Sequence, residues 1–277
     1  MSNTPSVSGL GFALSDSEVE RYHRDGVVGP YSLLGEAEMG VARRMIEREI
    51  IEPAAHDDPT LHYHDRHLDH RTVCRICRRP ELIDRVASLL GPDLMIWRSN
   101  FQVKPPVVQE SGDAARYAEV PWHQDGAYFG LQPLVLVSAW IAITEATEEN
   151  GCMRVVAGSH TKTFHHEHDP ERRSFGRSVP AEAIDPHAVR TILLRPGEFV
   201  LFNENTLHGS GPNQTPLARV GLTPRISVPF VRVTGNPRGA GRDRARHAPD
   251  EPREVAMLRG HDYTGRQKVV PLPCGAG

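Results

Sequence analysis

Lysine is almost missing from this 277-residue chain: it stands only at positions 104, 162 and 268, so 29 of the 32 basic residues are arginine. The bias points to a GC-rich genome rather than to thermal adaptation. With 35 acidic residues the formal net charge is −3, which gives no electrostatic pull toward nucleic acid. No run approaches the roughly eighteen consecutive apolar residues of a membrane span. The N-terminal MSNTPSVSGLGFALSDSEVE has neither a basic n-region nor an apolar h-region, so a cytoplasmic protein is expected. The four cysteines, at 74, 77, 152 and 274, are too few and too unevenly spread for a disulfide framework. Cys74-Arg-Ile-Cys77 does match C-x-x-C and follows the histidine-rich HDDPTLHYHDRHLDH (56 to 70). A zinc site there would need two thiolates and two imidazoles at workable spacing. The reading preferred to it is a helix carrying Val73, Ile76, Leu82 and Ile83 on one side.

What is present is a change of period along the chain. Ser15-Asp-Ser-Glu18 has the form of a capping box, and the helix it opens is stopped by Gly26. A second helix is expected from Glu36 to Ile50, ending before Pro53, and a third over Pro80 to Leu90, with proline in its first turn and Gly91 after it. From Asp93 the alternation becomes that of strands: LMIWRSNFQVK, LVLVSAWIAI (134 to 143), RTILLRPGEFVLF (190 to 202) and ARVGLTPRISVPFVRV (218 to 233). Helices do not alternate with these strands, so a parallel α/β sheet is not expected, and an antiparallel barrel or jelly roll behind a helical layer fits best. The expected organisation is one domain over 1–277: a mostly helical layer over 1–92, a β core over 93–235, and a C-terminal loop and tail over 236–277. Two segments, 161–186 and 235–253, read as long loops over the barrel mouth.

Five His-x-Asp/Glu pairs occur, where about two follow by chance from 15 histidines and 35 acids in 277 residues, so spacing alone decides nothing. His123 and Asp125 stand out by context. On a strand they would face the same way, with Gln124 facing the other. A third ligand is expected from His208, which follows an apolar strand and opens the Gly-rich GSGPN turn. Two histidines and one carboxylate with open positions form the facial triad of non-haem Fe(II) oxygenases. A 2-oxo acid cosubstrate needs a cation for its far carboxylate, and the guanidinium fork suits that best. Arg219, eleven residues after His208 among apolar neighbours, is the expected anchor; the alternative is an internal ion pair with a strand acid.

His123-Gln-Asp125, TEENGCMRVVAGSH (147 to 160), RPGEFVLFNENTLHGSGPN and Arg219 together resemble the phytanoyl-CoA dioxygenase superfamily of Fe(II)/2-oxoglutarate oxygenases. The resemblance runs from VGPYSLL near residue 28 to LRGHDYTG near residue 265. VGPYSLL, DRHLD (65 to 69), GPDLMIWRSNFQVK and RGHDYTG are similar to the branch containing syringomycin-type halogenases. The resemblance implies a double-stranded β-helix (jelly roll, cupin-like) core. It implies His123, Asp125 and His208 as iron ligands and Arg219 as the anchor of the 2-oxoglutarate C5 carboxylate. It also implies Gln102, Ser210 and Trp140 beside the cosubstrate, and Arg225 reaching toward the iron's open face. For Trp140 the alternative is core packing. Halogenases of that branch have Ala or Gly where Asp125 stands, and the vacancy accepts chloride. An aspartate there implies hydroxylation of an unactivated C–H bond, with desaturation or ring closure open to the same chemistry. Arg98, Tyr128 and Phe129, near the metal strand, are expected to touch substrate. The implied cosubstrates are 2-oxoglutarate and O2. The implied partner is a small molecule, amino-acid-derived or another secondary metabolite, free or tethered to a carrier protein, with no nucleic acid and no membrane involved. The competing readings are a jelly-roll protein that only holds a ligand, separable by succinate production, and a halogenase, separable by chloride dependence.

Overall fold

A computed structural model describes residues 11–56, 62–107, 119–168, 177–233 and 253–275. The helices α1 (Asp16–Asp25), α2 (Glu36–Ile46), α3 (Arg71–Cys77) and α4 (Pro80–Leu90) precede most of the sheet, with β1 (Val27–Ser32) between the first two. At the start of α1 the Glu18 carboxylate accepts from the Ser15 backbone N–H at 2.8 Å, and Gly26 ends the helix in the left-handed region at φ 75°. One helix boundary differs from expectation. After α2 the chain continues through a π turn, Glu47–Ile51, into Glu52–Ala54, so Pro53 lies inside the helical run. The wider turn changes the ladder just ahead of the residue that has no N–H to give.

The strands that complete the two main sheets are β2 (Leu94–Lys104), β3 (Val120–His123), β4 (Leu136–Ala142), β5 (Arg154–Val156), β6 (Val189–Thr191), β7 (Glu198–Asn203), β8 (His208–Ser210), β9 (Arg219–Ser227), β10 (Glu254–Arg259) and β11 (Lys268–Val269). They form a seven-stranded sheet in the order β1-β7-β4-β9-β2-β10-β11 and a four-stranded sheet β3-β8-β5-β6. All pairings in the two sheets are antiparallel except β10 with β11. The mainly β, jelly-roll expectation is borne out. The period of two explains the layering. On β4 and β7, Ala139, Ile141, Phe199 and Leu201 face the helices and pack with Met39, Ile46, Leu82 and Val86. Their alternates Trp140, Ala142, Val200 and Phe202 face the small sheet and pack with Met153 and Val155. The large sheet is therefore covered on both faces, and its inner face forms one wall of the space between the sheets.

Two further expectations are corrected. The C-terminal stretch read as loop and tail supplies β10, which pairs with β2 in the large sheet; Val255 and Ala256 are buried apolar residues that a surface tail would have no reason to carry. Cys74 is disulfide-bonded to Cys274, 200 residues away, tying that terminal segment to α3. A zinc site using both thiols of C-x-x-C is thereby excluded, and Cys77 packs as a small apolar residue in the core, its thiol pushed up to about 12 by burial. The expected loop over 235–253 lies outside the described residues except for Arg253. Among the described residues, no helix is long and apolar enough to cross a membrane.

Candidate metal centre

His123 closes β3 and His208 opens β8, and the two are direct cross-strand partners, their ring centroids 4.2 Å apart. Each ring is fixed in the same way. Nδ1 of His123 donates to the Pro121 carbonyl and Nδ1 of His208 to the Thr206 carbonyl, both at 2.8 Å. A carbonyl oxygen can only accept, so the proton sits on Nδ1 and each Nε2 keeps its lone pair for a metal. Burial, and secondarily the neighbouring His123, pull the His208 imidazole down to about 4, which leaves it neutral near pH 7.

Asp125 reaches the same point by a route the sequence did not predict. The strand stops at His123, and Asp125 opens a one-turn 3-10 helix, Asp125–Ala127, instead of continuing with the pleat. The Tyr128 N–H donates back to the Asp125 carbonyl at 2.9 Å, and the Gly126 N–H donates to the Glu204 carbonyl at 2.9 Å. Gly126 is closely packed: a Cβ there would push aside the ends of the Asn205 and Leu134 side chains. The turn leaves Asp125 Oδ1 3.7 Å from His123 Nε2. One donor atom from each of His123, Asp125 and His208 lies within 4.8 Å of the others, and all three residues are buried. Burial alone would raise the Asp125 carboxyl, but Arg225 and the two histidines outweigh it and hold it well below the usual carboxylate range. Arg225 Nη2 donates to Asp125 Oδ2 at 3.1 Å. Two imidazoles whose Nδ1 atoms are held by carbonyls and one ionised carboxylate fit a divalent transition metal of the iron type.

Gln124 holds the surrounding loops. Its amide donates to the Lys162 carbonyl at 2.7 Å and the Asn205 carbonyl at 2.6 Å, and accepts from the Phe164 N–H at 2.9 Å. Its backbone N–H donates to His166 Nε2 at 3.1 Å. The described part of the 161–186 segment is thus bound to the metal strand. Of the other His-x-acid pairs, His23, His56 and His165 are exposed, while His67 is buried against the Ser99 hydroxyl at 2.8 Å.

Between the sheets lies a cavity of about 60 Å³, lined by the triad and by Gln102, Trp140, Ser210, Arg219, Thr223 and Arg225. On its large-sheet side β2 and β9 pair Lys104 with Arg219, Gln102 with Gly221, Asn100 with Thr223, and Arg98 with Arg225, and of these Gln102, Arg219, Thr223 and Arg225 line the cavity. Gly221 has no side chain because Trp140 occupies the space, and a Cβ there would come within 2.5 Å of the indole. Trp140 is therefore both buried packing and cavity wall. Arg219 is only 4% exposed, its guanidinium lies 5.2 Å from the Trp140 ring, and its Nε has no hydrogen-bond partner. Among the described residues no carboxylate pairs with it, so the ion-pair alternative fails, and burial pulls it down to about 10. A buried guanidinium in a cavity with an unpartnered Nε has a donor left to satisfy.

Lys104, opposite Arg219, escaped the sequence reading. Its ammonium donates to the Ser210 and Gly211 carbonyls, and burial, reinforced by Arg219, pushes it down to about 7. Its only sequence signal was the scarcity of lysine itself. Of the residues expected near substrate, Phe129 lies against the Arg225 guanidinium at 4.8 Å. Tyr128 meets His123 edge-on at 6.1 Å and donates its hydroxyl to the Arg177 carbonyl. Arg98 stands across the strand from Arg225, its Nε on Asn100 Oδ1 at 3.0 Å, outside the cavity's immediate lining.

Comparison with known proteins agrees with this geometry. The chain is 28% identical over 244 residues to an ectoine dioxygenase of Streptomyces avermitilis, covering 78% of each chain. A non-heme monooxygenase, ThoJ in its apo form, superposes with a TM-score of 0.73 at 28% identity, over 92% of this chain and 88% of that one. CytC3 with Fe(II) and alpha-ketoglutarate superposes with a TM-score of 0.67 at 25% identity, over 94% and 93%. Residues 22–221 match the phytanoyl-CoA dioxygenase (PhyH) family. The chain belongs to that family and is an iron(II)- and 2-oxoglutarate-dependent oxygenase.

Proposed function

We propose that the enzyme hydroxylates an unactivated C–H bond of a small molecule, with His123, Asp125 and His208 holding the iron and Arg219 holding the far carboxylate of 2-oxoglutarate. The observation that carries this reading is the meeting, in one cavity, of a metal-ready triad and a buried guanidinium with an unpartnered Nε. Bound Fe(II) supplies the oxidation: O2 and 2-oxoglutarate give succinate and CO2, and the second oxygen atom enters the C–H bond of the substrate. The chain's own residues do the positioning. The Pro121 and Thr206 carbonyls aim both imidazoles, and Arg225 holds one oxygen of Asp125 so that the other is presented to the metal. Arg219 and Lys104, side by side, receive the far carboxylate, while Trp140 walls the pocket and Gln102 and Ser210 line it. Asp125 supplies a carboxylate where a halogenase would need an empty position, which favours hydroxylation.

A small amino-acid-derived or other secondary-metabolite substrate is supported by kinship to an enzyme named for ectoine. The test is succinate formation from 2-oxoglutarate under air with Fe(II), screened over a metabolite panel by mass spectrometry. A product heavier by one oxygen supports the reading. Metal and 2-oxoglutarate binding without turnover on any substrate, and without uncoupled succinate, would instead support a ligand-holding protein.

A further inference from the structure

On one face of β9 the odd-numbered positions run Arg219, Gly221, Thr223 and Arg225, and each of them that has a side chain lines the metal cavity. Arg219 stands at the cosubstrate end. Arg225 stands at the metal end, where its Nη2 holds Asp125 Oδ2 at 3.1 Å. Between them Gly221 presents nothing, since Trp140 fills its place, so Thr223 is what β9 offers to a molecule lying between the anchor and the metal.

Thr223 is 2% exposed, and its hydroxyl has no hydrogen-bond partner among the described residues. The residue opposite it on β2, Asn100, turns its Oδ1 to Arg98 Nε at 3.0 Å instead. A buried hydroxyl left unpaired costs about 1–3 kcal/mol, and valine, β-branched and close in shape, would fill the same strand position without that cost. The threonine makes physical sense on this wall if a ligand supplies the missing acceptor.

A 2-oxo acid held by its far carboxylate at Arg219, with its other end on the metal, has to run along this face. Thr223 lies four residues from Arg219, about 13 Å along the strand, and two from Arg225, about 7 Å, which places it beside the chelating end. At that end the metal takes one oxygen of the near carboxylate and leaves the other, and a carboxylate oxygen can only accept.

Resting on the oxygenase reading above, we infer that Thr223 binds the near end of the cosubstrate: its hydroxyl donates a hydrogen bond to the metal-chelating carboxylate of 2-oxoglutarate. The bond would fix how the chelate lies, and with it which side of the metal stays open to the substrate.

The test separates the two ends of the cosubstrate with two probes, 2-oxoglutarate and oxalate, titrated by calorimetry into the full chain loaded with Mn(II). Oxalate chelates a metal as the near end does and has no far carboxylate. Thr223→Val should weaken both probes by roughly tenfold or more, the loss of one hydrogen bond to a charged group, and Thr223→Ser should restore both. Arg219→Gln should weaken 2-oxoglutarate alone. In the anaerobic Fe(II) complex with 2-oxoglutarate, the charge-transfer band should move to shorter wavelength in Thr223→Val, because a donor to the chelate lowers its acceptor orbital. Ligand-free Thr223→Val should melt at or above the wild-type temperature, since no internal bond is lost. Wild-type affinity for oxalate with an unmoved band in Thr223→Val overturns the inference. So does a ligand-free valine variant less stable than the wild type, because the hydroxyl would then have a partner inside the protein. A wild type that itself fails to bind 2-oxoglutarate is a different result, and it overturns the oxygenase reading along with this one.

Discussion

Arg219 offers a prediction with an unusual sign: replacing it by methionine should stabilise the ligand-free protein while destroying cosubstrate binding. The guanidinium is buried with its Nε unpartnered, and burial lowers it from its ordinary value to about 10, which corresponds to about 3 kcal/mol of destabilisation at pH 7. The sign is fixed by linkage. A base with a depressed pKa in the fold carries its full penalty below that pKa, and the penalty is relieved only as pH rises from about 10 toward the unfolded value. Contact with the Trp140 ring offsets roughly 1 kcal/mol. A net gain of about 2 kcal/mol should therefore raise the melting temperature of Arg219→Met by roughly 4–8 °C in metal-free buffer. The same variant loses a bidentate, charge-assisted pair with 2-oxoglutarate, so calorimetry on the Mn(II) form should give binding weaker by roughly ten- to a hundredfold. A variant that is less stable than the wild type yet binds 2-oxoglutarate normally would refute the argument at both ends, since Arg219 would then have an internal partner.

The remaining predictions concern the groups around it. Asp125→Ala removes a ligand and should abolish hydroxylation; intact hydroxylation, read as oxygenated product by mass spectrometry, would show that the triad is wrongly assigned. Lys104 is depressed to about 7, so its buried charge destabilises the free protein below that pH and stability should climb from pH 6 to pH 8. Urea midpoints across that range should lose this slope in Lys104→Met, and 2-oxoglutarate affinity in the wild type should fall over the same range. Gln124→Ala gives up three side-chain hydrogen bonds in a buried position and should cost roughly 2–3 kcal/mol by denaturant titration, with faster proteolysis in the 161–168 loop. A loss under about half a kcal/mol would mean that the loop is held elsewhere.

The strand ladder and most helix ends were legible because burial on alternate faces imposes a period that can be counted. LMIWRSNFQVK became β2 residue for residue, and PELIDRVASLL became α4. The tail strand β10 was missed because EVAMLR is short and shows no clean alternation; only its pairing with β2 makes it a strand. The triad was legible in identity but not in geometry. Nothing in HQDG announces that the strand breaks after His123, where the turn is joined to the rest of the fold by the Gly126 N–H donating to the Glu204 carbonyl at 2.9 Å, a contact between segments far apart in sequence. Lys104 stayed hidden for the same reason. Its significance lies in register, opposite Arg219, and register is a property of two strands together.

The most direct test of the central claim is an anaerobic titration of the Fe(II)-loaded enzyme with 2-oxoglutarate, followed by visible absorption. Chelation of Fe(II) by the 2-oxo acid should produce a metal-to-ligand charge-transfer band that saturates at one equivalent of 2-oxoglutarate per bound iron and is absent in His208→Ala. A wild-type protein that takes up iron and shows no such band, or an identical band in His208→Ala, would contradict the assignment of this cavity as the oxygenase centre.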